Sequence, residues 1–216
     1  MRWFIIDLII KVLKKKPEVL ELLGRVWEML YIEGSTPDIG KRRENFIRMF
    51  LKKEFGLEVT PAPSMERKYD FEITINNEKR KYSLKTTESI TTIKVAWNGF
   101  PSLERARKFK FEYPILYVTG DRSKKKISIY VFDVEDLEKL KEEMGDSMWW
   151  IPEEDTNPRG FGLSKRAVEK LMEIAKVKGN YIAWIYNPID VNAIKERYWN
   201  EWYNLLKKLA SIKKVS

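Results

Sequence analysis

The chain predicts a mixed α/β (α+β) domain built on a small central sheet, with helical additions at both ends. Three observations lead there. Short runs of alternating apolar and polar residues are interleaved with longer runs whose apolar residues recur at helical spacing. The chain has 216 residues, of which 44% are hydrophobic and 34% charged. That suits a folded domain with a sizeable core and no long unstructured segment. No repeats and no low-complexity linker interrupt it.

Residues 2–32 read as two helices broken at Pro17. The first is amphipathic, and Asp7 keeps Trp3 to Ile10 from spanning a bilayer. No small-residue cleavage site follows, so it does not read as a signal peptide. Gly34 to Asp38 forms a turn, and a helix runs from about Ile39 to Phe55, where Phe46, Ile47, Phe50 and Leu51 make one apolar stripe. Gly56 ends it. A short strand over 57–60 follows. Tyr69 to Ile75 then alternates, Asn76-Asn77-Glu78 supplies turn chemistry, and Lys81 to Thr86 alternates again, as a β-hairpin with one buried face does. Residues 89–100 read as irregular or partly extended. Ser102 caps a helix through Lys110, and strands at 114–119 and 127–132 flank the Gly120-Asp121 turn. A helix over 134–144, a Trp149-Trp150 loop, a helix at about 164–177, a strand at 181–186 and a last helix from Ile189 complete the order. The expected organisation is one domain: an N-terminal helical addition over 1–38, a core over 39–133 and a C-terminal addition over 134–216. Trp184, Trp199 and Trp202 stand at spacings that suit core packing.

Composition narrows the chemistry. With no cysteine and no histidine, thiol nucleophiles, zinc–thiolate sites and imidazole bases are excluded. Hydrolysis must then run on carboxylates, lysines and a hard cation such as Mg²⁺. No organic cofactor is expected. The formal charge of +9, from 41 basic and 32 acidic residues, favours a polyanionic partner such as DNA, RNA or anionic lipid. A cytoplasmic protein without a membrane partner is the expectation.

The hairpin carries the candidate chemistry. Asp70 and Glu72 share the face opposite Phe71 and Ile73, and Ser83 and Lys85 the face opposite Tyr82 and Leu84. With both apolar faces on one core, the polar set converges across the strands. There Asp70 and the Leu84 carbonyl suit a cation, and Lys85 suits a water beside it. An ordinary cross-strand ion pair on a solvated face is the other reading of Asp70 and Lys85. Pro37-Asp38 reads as turn and cap chemistry.

This order of a helix, a strand bearing Asp70, a tight turn, a strand bearing Lys85, a helix and a further strand resembles the PD-(D/E)xK nuclease core from about Lys41 to Thr119. That superfamily includes type II restriction endonucleases and Holliday-junction resolvases. The resemblance implies a restriction-endonuclease-like core that cuts double-stranded DNA with Mg²⁺ and leaves a 5′-phosphate. It implies Glu44, in Arg42-Arg43-Glu44, as a helical acid near the metal. The chain departs from the pattern at Ser83, where the family has Asp or Glu. Some Ser-x-Lys restriction enzymes take the missing carboxylate from the following helix, which points to Glu104, with Glu72 and Glu88 as rivals. The expected ligands are thus Asp70, the Leu84 carbonyl and Glu104 or Glu44, with Lys85 assisting the attacking water.

A narrower likeness, to ThaI-like restriction enzymes, rests on the small size, the basic charge and the Ser-Leu-Lys-Thr-Thr-Glu run. It implies a homodimer on a short CG-rich palindrome with a methionine wedged among the bases, here Met65 or Met49. Arg43, Arg105, Arg107 and Lys108 are candidate phosphate contacts. Asn98, Asn157 and Arg159 have side chains able to read base edges. The N-terminal helices and the last helix are candidate dimer surfaces. A resolvase or repair nuclease of the same core, a silent DNA- or RNA-binding module and a protein anchored to a membrane surface by residues 1–16 are the alternatives.

Overall fold

The computed structural model describes residues 6–32, 39–66, 68–96, 99–152 and 159–212. Its centre is a six-stranded mixed sheet made of β1 (Glu58–Pro61), β2 (Phe71–Ile75), β3 (Glu78–Thr87), β5 (Ile115–Asp121), β6 (Lys126–Phe132) and β9 (Tyr181–Ile185), in the spatial order β1-β2-β3-β5-β6-β9. All neighbours are antiparallel except β3 and β5, which run parallel. That one parallel junction needs a crossover, and it contains β4 (Ile93–Ala96) and α4 (Leu103–Lys108). β4 joins β8 (Phe161–Leu163) and β7 (Trp149–Trp150) in a second, three-stranded sheet. The Trp149-Trp150 stretch expected as a loop is therefore a short strand, and Trp149 is buried.

The hairpin forms because of its turn. Asn76 and Asn77 both take positive φ, 51° and 65°, the backbone twist that matches two-residue hairpins and that asparagine tolerates. The turn sets the register at Phe71 opposite Tyr82. Both rings are fully buried and stack with centroids 5.8 Å apart.

Two cores lie on the two faces of the sheet. On one face, Phe71, Ile73, Tyr82, Leu84, Leu116, Val118, Ile127 and Ile129 pack with residues of α1 (Leu8–Leu13), α2 (Leu20–Ile32) and α3 (Ile39–Phe55). On the other, Ile115, Tyr117, Tyr130 and Phe132 pack with the small sheet, α5 (Val134–Met144) and α6 (Lys165–Val177). β5 and β6 are thus covered on both faces, whereas β2 and β3 contribute apolar residues only to the first. The second face of the hairpin is left without an apolar cover. α7 (Val191–Ile212) follows β9 and touches the body at α2. Trp184 is partly buried and donates its Nε1–H to Glu21 at 3.1 Å. Trp199 and Trp202 are 64% and 48% exposed, which corrects their reading as core residues. Helical spacing reports that residues share a face and is silent on whether anything covers it.

The first core contains a polar knot. Asp7 caps α1 by accepting from Ile9 N–H at 2.9 Å, and it accepts from the Tyr82 hydroxyl at 2.8 Å. It pairs with Arg80 at 2.9 Å, and its own N–H donates to Asn180 Oδ1 at 2.7 Å. Arg80 and Asn180 in turn bind Asp133, joining α1, β3, the start of α5 and the turn before β9. Desolvation pushes the Asp7 carboxyl above its ordinary range, against the pull of Arg80 and the Tyr82 hydrogen bond. Removing one partner of such a set strands the rest. Asp7→Ala is expected to lower the unfolding free energy by about 3–5 kcal/mol, read from urea denaturation, while Asp7→Asn retains part of the cap and loses less.

Candidate active site

The uncovered face of the hairpin gathers the charged residues of interest. Asp70 lies one position before β2, with its N–H donating to the Tyr82 carbonyl at 2.8 Å. Because Phe71 stands opposite Tyr82, Asp70 falls beside Ser83 and Leu84. Its Oδ2 accepts from the Leu84 N–H at 2.5 Å and from the Ser83 hydroxyl at 3.3 Å. The serine at the motif position therefore orients Asp70 and adds no ligand charge. Lys85, two residues on, lies in register with Tyr117 of β5 and shares the Ser83 face.

Lys85 is half-buried. Desolvation pushes its ammonium down from the ordinary lysine range, and the negative charges of Asp70 and Glu44 oppose that shift. Glu44 reports the same neighbourhood from α3. Desolvation pushes its carboxyl up, Arg48 pulls it down, Asp70 pushes it up and Lys85 pulls it down. Glu44 also binds Arg48 at 2.8 Å. Three groups from the hairpin and a helix thus act on one another electrostatically: two carboxylates and an ammonium.

Glu44 is held in place by its neighbour. Arg43 is 4% exposed, stacks over Trp27 at 4.8 Å and binds the Glu88 carboxylate. Trp27 Nε1–H donates to the Thr87 carbonyl at 3.2 Å. Gly120 of β5 leaves the space the indole occupies, since a Cβ there would stand 2.1 Å from it. Arg43 therefore ties α3 to the end of β3, and its expected role as a surface phosphate contact is corrected. Sequence carried a sign of this, because Arg43 extends the Ile47, Phe50 and Leu51 stripe by one turn.

The other expected site residues divide clearly. Glu104 is in α4, three-quarters exposed, and binds Lys108 at 2.5 Å. Glu104 is not among the charges that shift Glu44 or Lys85. Glu72 pairs with Lys79 at 3.3 Å. Arg107 binds Asp146, and Arg105 donates to the Phe100 carbonyl at 2.7 Å. Met65, in the loop before Asp70, is 83% exposed, and Met49 on α3 is 43% exposed. Arg159 is exposed, whereas Asn98 and Asn157 lie outside the described residues.

A cleft of about 370 Å³ opens beside Ser83, lined by Lys68, Lys108 and Lys110 together with Phe109, Tyr113 and Ile115. Lys68 and Lys110 carry no signal in sequence, where single lysines in loops look alike. Lys81 lies at 4.5 Å over Tyr69 and 5.6 Å over Tyr113. The larger cleft, about 1160 Å³ between α5 and α6, is lined by charges of both signs and by none of these residues.

Among the described residues no three acidic side chains gather as a metal cage. The set of two carboxylates, with the Leu84 backbone adjacent, suits a cation that keeps waters and borrows oxygens from its substrate, as Mg²⁺ does. Arg43→Ala is expected to destabilise the fold by about 2–4 kcal/mol, because it leaves Glu88 half-buried without its partner and a void on Trp27. Thermal or urea unfolding reads it, and a stable variant with merely weaker polyanion binding would show Arg43 to be a surface contact after all.

No family profile matches the chain, and no curated protein matches it in sequence. Among solved structures, one described as a restriction endonuclease in complex with substrate DNA superposes with a TM-score of 0.57 at 19% identity. The match covers 90% of this chain and 95% of that one. At that identity the likeness is one of fold, and the chain has a restriction-endonuclease-like fold.

Proposed function

We propose that the chain is a Mg²⁺-dependent, sequence-specific double-stranded DNA endonuclease of the PD-(D/E)xK type, a type II restriction enzyme. The observation that carries this reading is the desolvated Lys85 ammonium on the polar face of the hairpin, in electrostatic contact with Asp70 and with Glu44 of α3. The likeness to a restriction endonuclease solved with substrate DNA supports it, as does the net charge of +9.

Asp70, Glu44 and the Leu84 carbonyl would hold Mg²⁺, which when bound neutralises phosphate charge and acidifies a water. The chain's own residues do the positioning. The Leu84 N–H and Ser83 hydroxyl fix one oxygen of Asp70. Lys85 Nζ donates to the attacking water or to a non-bridging phosphate oxygen and stabilises the charge that develops there. Lys68, Lys108 and Lys110 in the adjoining cleft take neighbouring phosphates of the strand. Met65, exposed and ahead of Asp70, would be the methionine that meets the bases under the ThaI-like resemblance. Glu44 fills the ligand position for which Ser83 and Glu104 are unsuited, the first being neutral and the second bound to Lys108 in solvent.

Incubation of the purified protein with plasmid and Mg²⁺ is expected to give discrete fragments. Cleavage restricted to branched DNA would instead make it a junction resolvase, and salt-sensitive binding without cutting would make it a binding module. Asp70→Asn is expected to abolish cleavage while keeping or tightening DNA binding, and Lys85→Ala to lower the rate by about 10³-fold or more. Unchanged turnover in Asp70→Asn, or a loss below about tenfold in Lys85→Ala, excludes those roles. Glu44→Gln is expected to lose about 10²-fold or more and Glu104→Gln less than about threefold. The reverse order would return the ligand role to α4.

A further inference from the structure

Among the described residues, the buried tyrosines have bonded hydroxyls with one exception. Tyr82 donates to Asp7, the Tyr186 hydroxyl lies 3.4 Å from Glu28, and that of Tyr130 is engaged by Ser128 and Tyr181. Tyr117, in the middle of β5, is fully buried, and its hydroxyl has no hydrogen-bond partner among the described residues. Burial pushes its ionisation upward, so the group is a neutral hydroxyl that can donate and accept. Leaving such a group unbonded is costly, and native structures rarely do so without a use for it.

Strand register places a partner beside it. Leu84 and Leu116 lie opposite each other and both enter the first core, and one position on, Lys85 lies opposite Tyr117. The two side chains therefore leave neighbouring strands on the same face of the sheet, that of the second core. Neighbouring strands are roughly 4.8 Å apart. A tyrosine and an extended lysine reach about equally far from the backbone, so their polar ends stand at one height. The Lys85 ammonium also lacks a direct partner. Among the described residues it makes no hydrogen bond or ion pair, and Asp70 and Glu44 act on it through their charge. The hydroxyls of Ser83 and Thr87, on the same face of β3, are used elsewhere, by Asp70 and by the Ser89 carbonyl. The Tyr117 ring is packed in place, 5.5 Å from Phe132 and 6.1 Å from Tyr130, whereas a lysine stem can turn toward it.

We infer that the Tyr117 hydroxyl accepts a hydrogen bond from Lys85 Nζ and is a positioning residue for that ammonium. Lysine carries three rotatable donors on a flexible four-carbon stem. Committing one of them to a hydroxyl on a fixed ring leaves the other two aimed along the polar face, where Asp70 stands and a phosphate oxygen would arrive. The use of that aim in cleavage rests on the nuclease reading, and the hydrogen bond itself does not.

Tyr117→Phe keeps the ring and removes only the hydroxyl, so its circular dichroism and melting temperature should stay close to those of the parent. Nitrogen NMR of the isotope-labelled lysine side chains, without metal or DNA, is expected to show the Lys85 Nζ resonance, identified by its loss in Lys85→Met, shifted in Tyr117→Phe. The Tyr117 Cζ resonance is expected to shift in turn in Lys85→Met. In single-turnover cleavage, Tyr117→Phe is expected to lose about tenfold or more in rate with the DNA dissociation constant unchanged within about twofold. Added to Lys85→Ala, it should cost less than about twofold more, because the group it acts through is gone. Both resonances unmoved would overturn the bond, whatever the chain does to DNA. Shifted resonances with no loss of rate, a loss equal in both backgrounds, or a loss confined to DNA affinity would overturn the positioning role. Shifted resonances in a chain that cuts no DNA would support the bond and overturn the nuclease reading alone.

Discussion

The structure turns on the pairing of Phe71 with Tyr82. The Asn76-Asn77 turn sets the hairpin register and two buried rings hold it; a slip of one residue in either strand would move its ring into solvent and its charged residue, Asp70 or Lys85, toward the core. With the register held, Asp70 falls beside the Leu84 N–H and the Ser83 hydroxyl, and Lys85 points out of the same face. Tyr82 is doubly committed, since its hydroxyl also binds Asp7, the cap of α1. The site face is therefore fixed by contacts made on the opposite, apolar face, where burial energy is available to hold it.

Uneven coverage of the sheet makes room for a site. β5 and β6 are buried on both faces and end up as structural strands. β2 and β3 add no apolar residue to the second core, and their charged residues on that side are not under an apolar layer. Partial desolvation without full burial is the condition under which an ammonium and two carboxylates influence one another strongly while a ligand can still enter. Arg43, Trp27 and Glu88 close the arrangement by locking α3 to the end of β3, so that Glu44 is carried to its neighbours by the helix beneath it.

Much of this was legible in the sequence, for particular reasons. The Asn76-Asn77 turn and the flanking alternation name a hairpin with one buried face, and they put Asp70 and Lys85 together without any long-range information. The helix of Glu44 was legible from its apolar stripe. What the serine at position 83 does was not, because a hydroxyl two residues before a lysine can point at solvent, backbone or carboxylate. Glu104 shows the converse: the family resemblance points to a ligand on the helix after the hairpin, and the fold leaves Glu104 in solvent with Lys108. Arg43 reads in sequence as surface charge among other basic residues, and only the packing of α3 sets it over Trp27.

Local order thus determined the elements, the polarity of each face and the chemistry that a chain without cysteine or histidine can perform. Tertiary structure decided which charges meet. That depends on the β3–β5 parallel junction, on where each core stops and on the packing of α3 against β3, all set by contacts far apart in the chain. It also decided that Trp199 and Trp202 of α7 stay exposed. Periodicity is a property of a segment alone, whereas burial requires a second surface to be present.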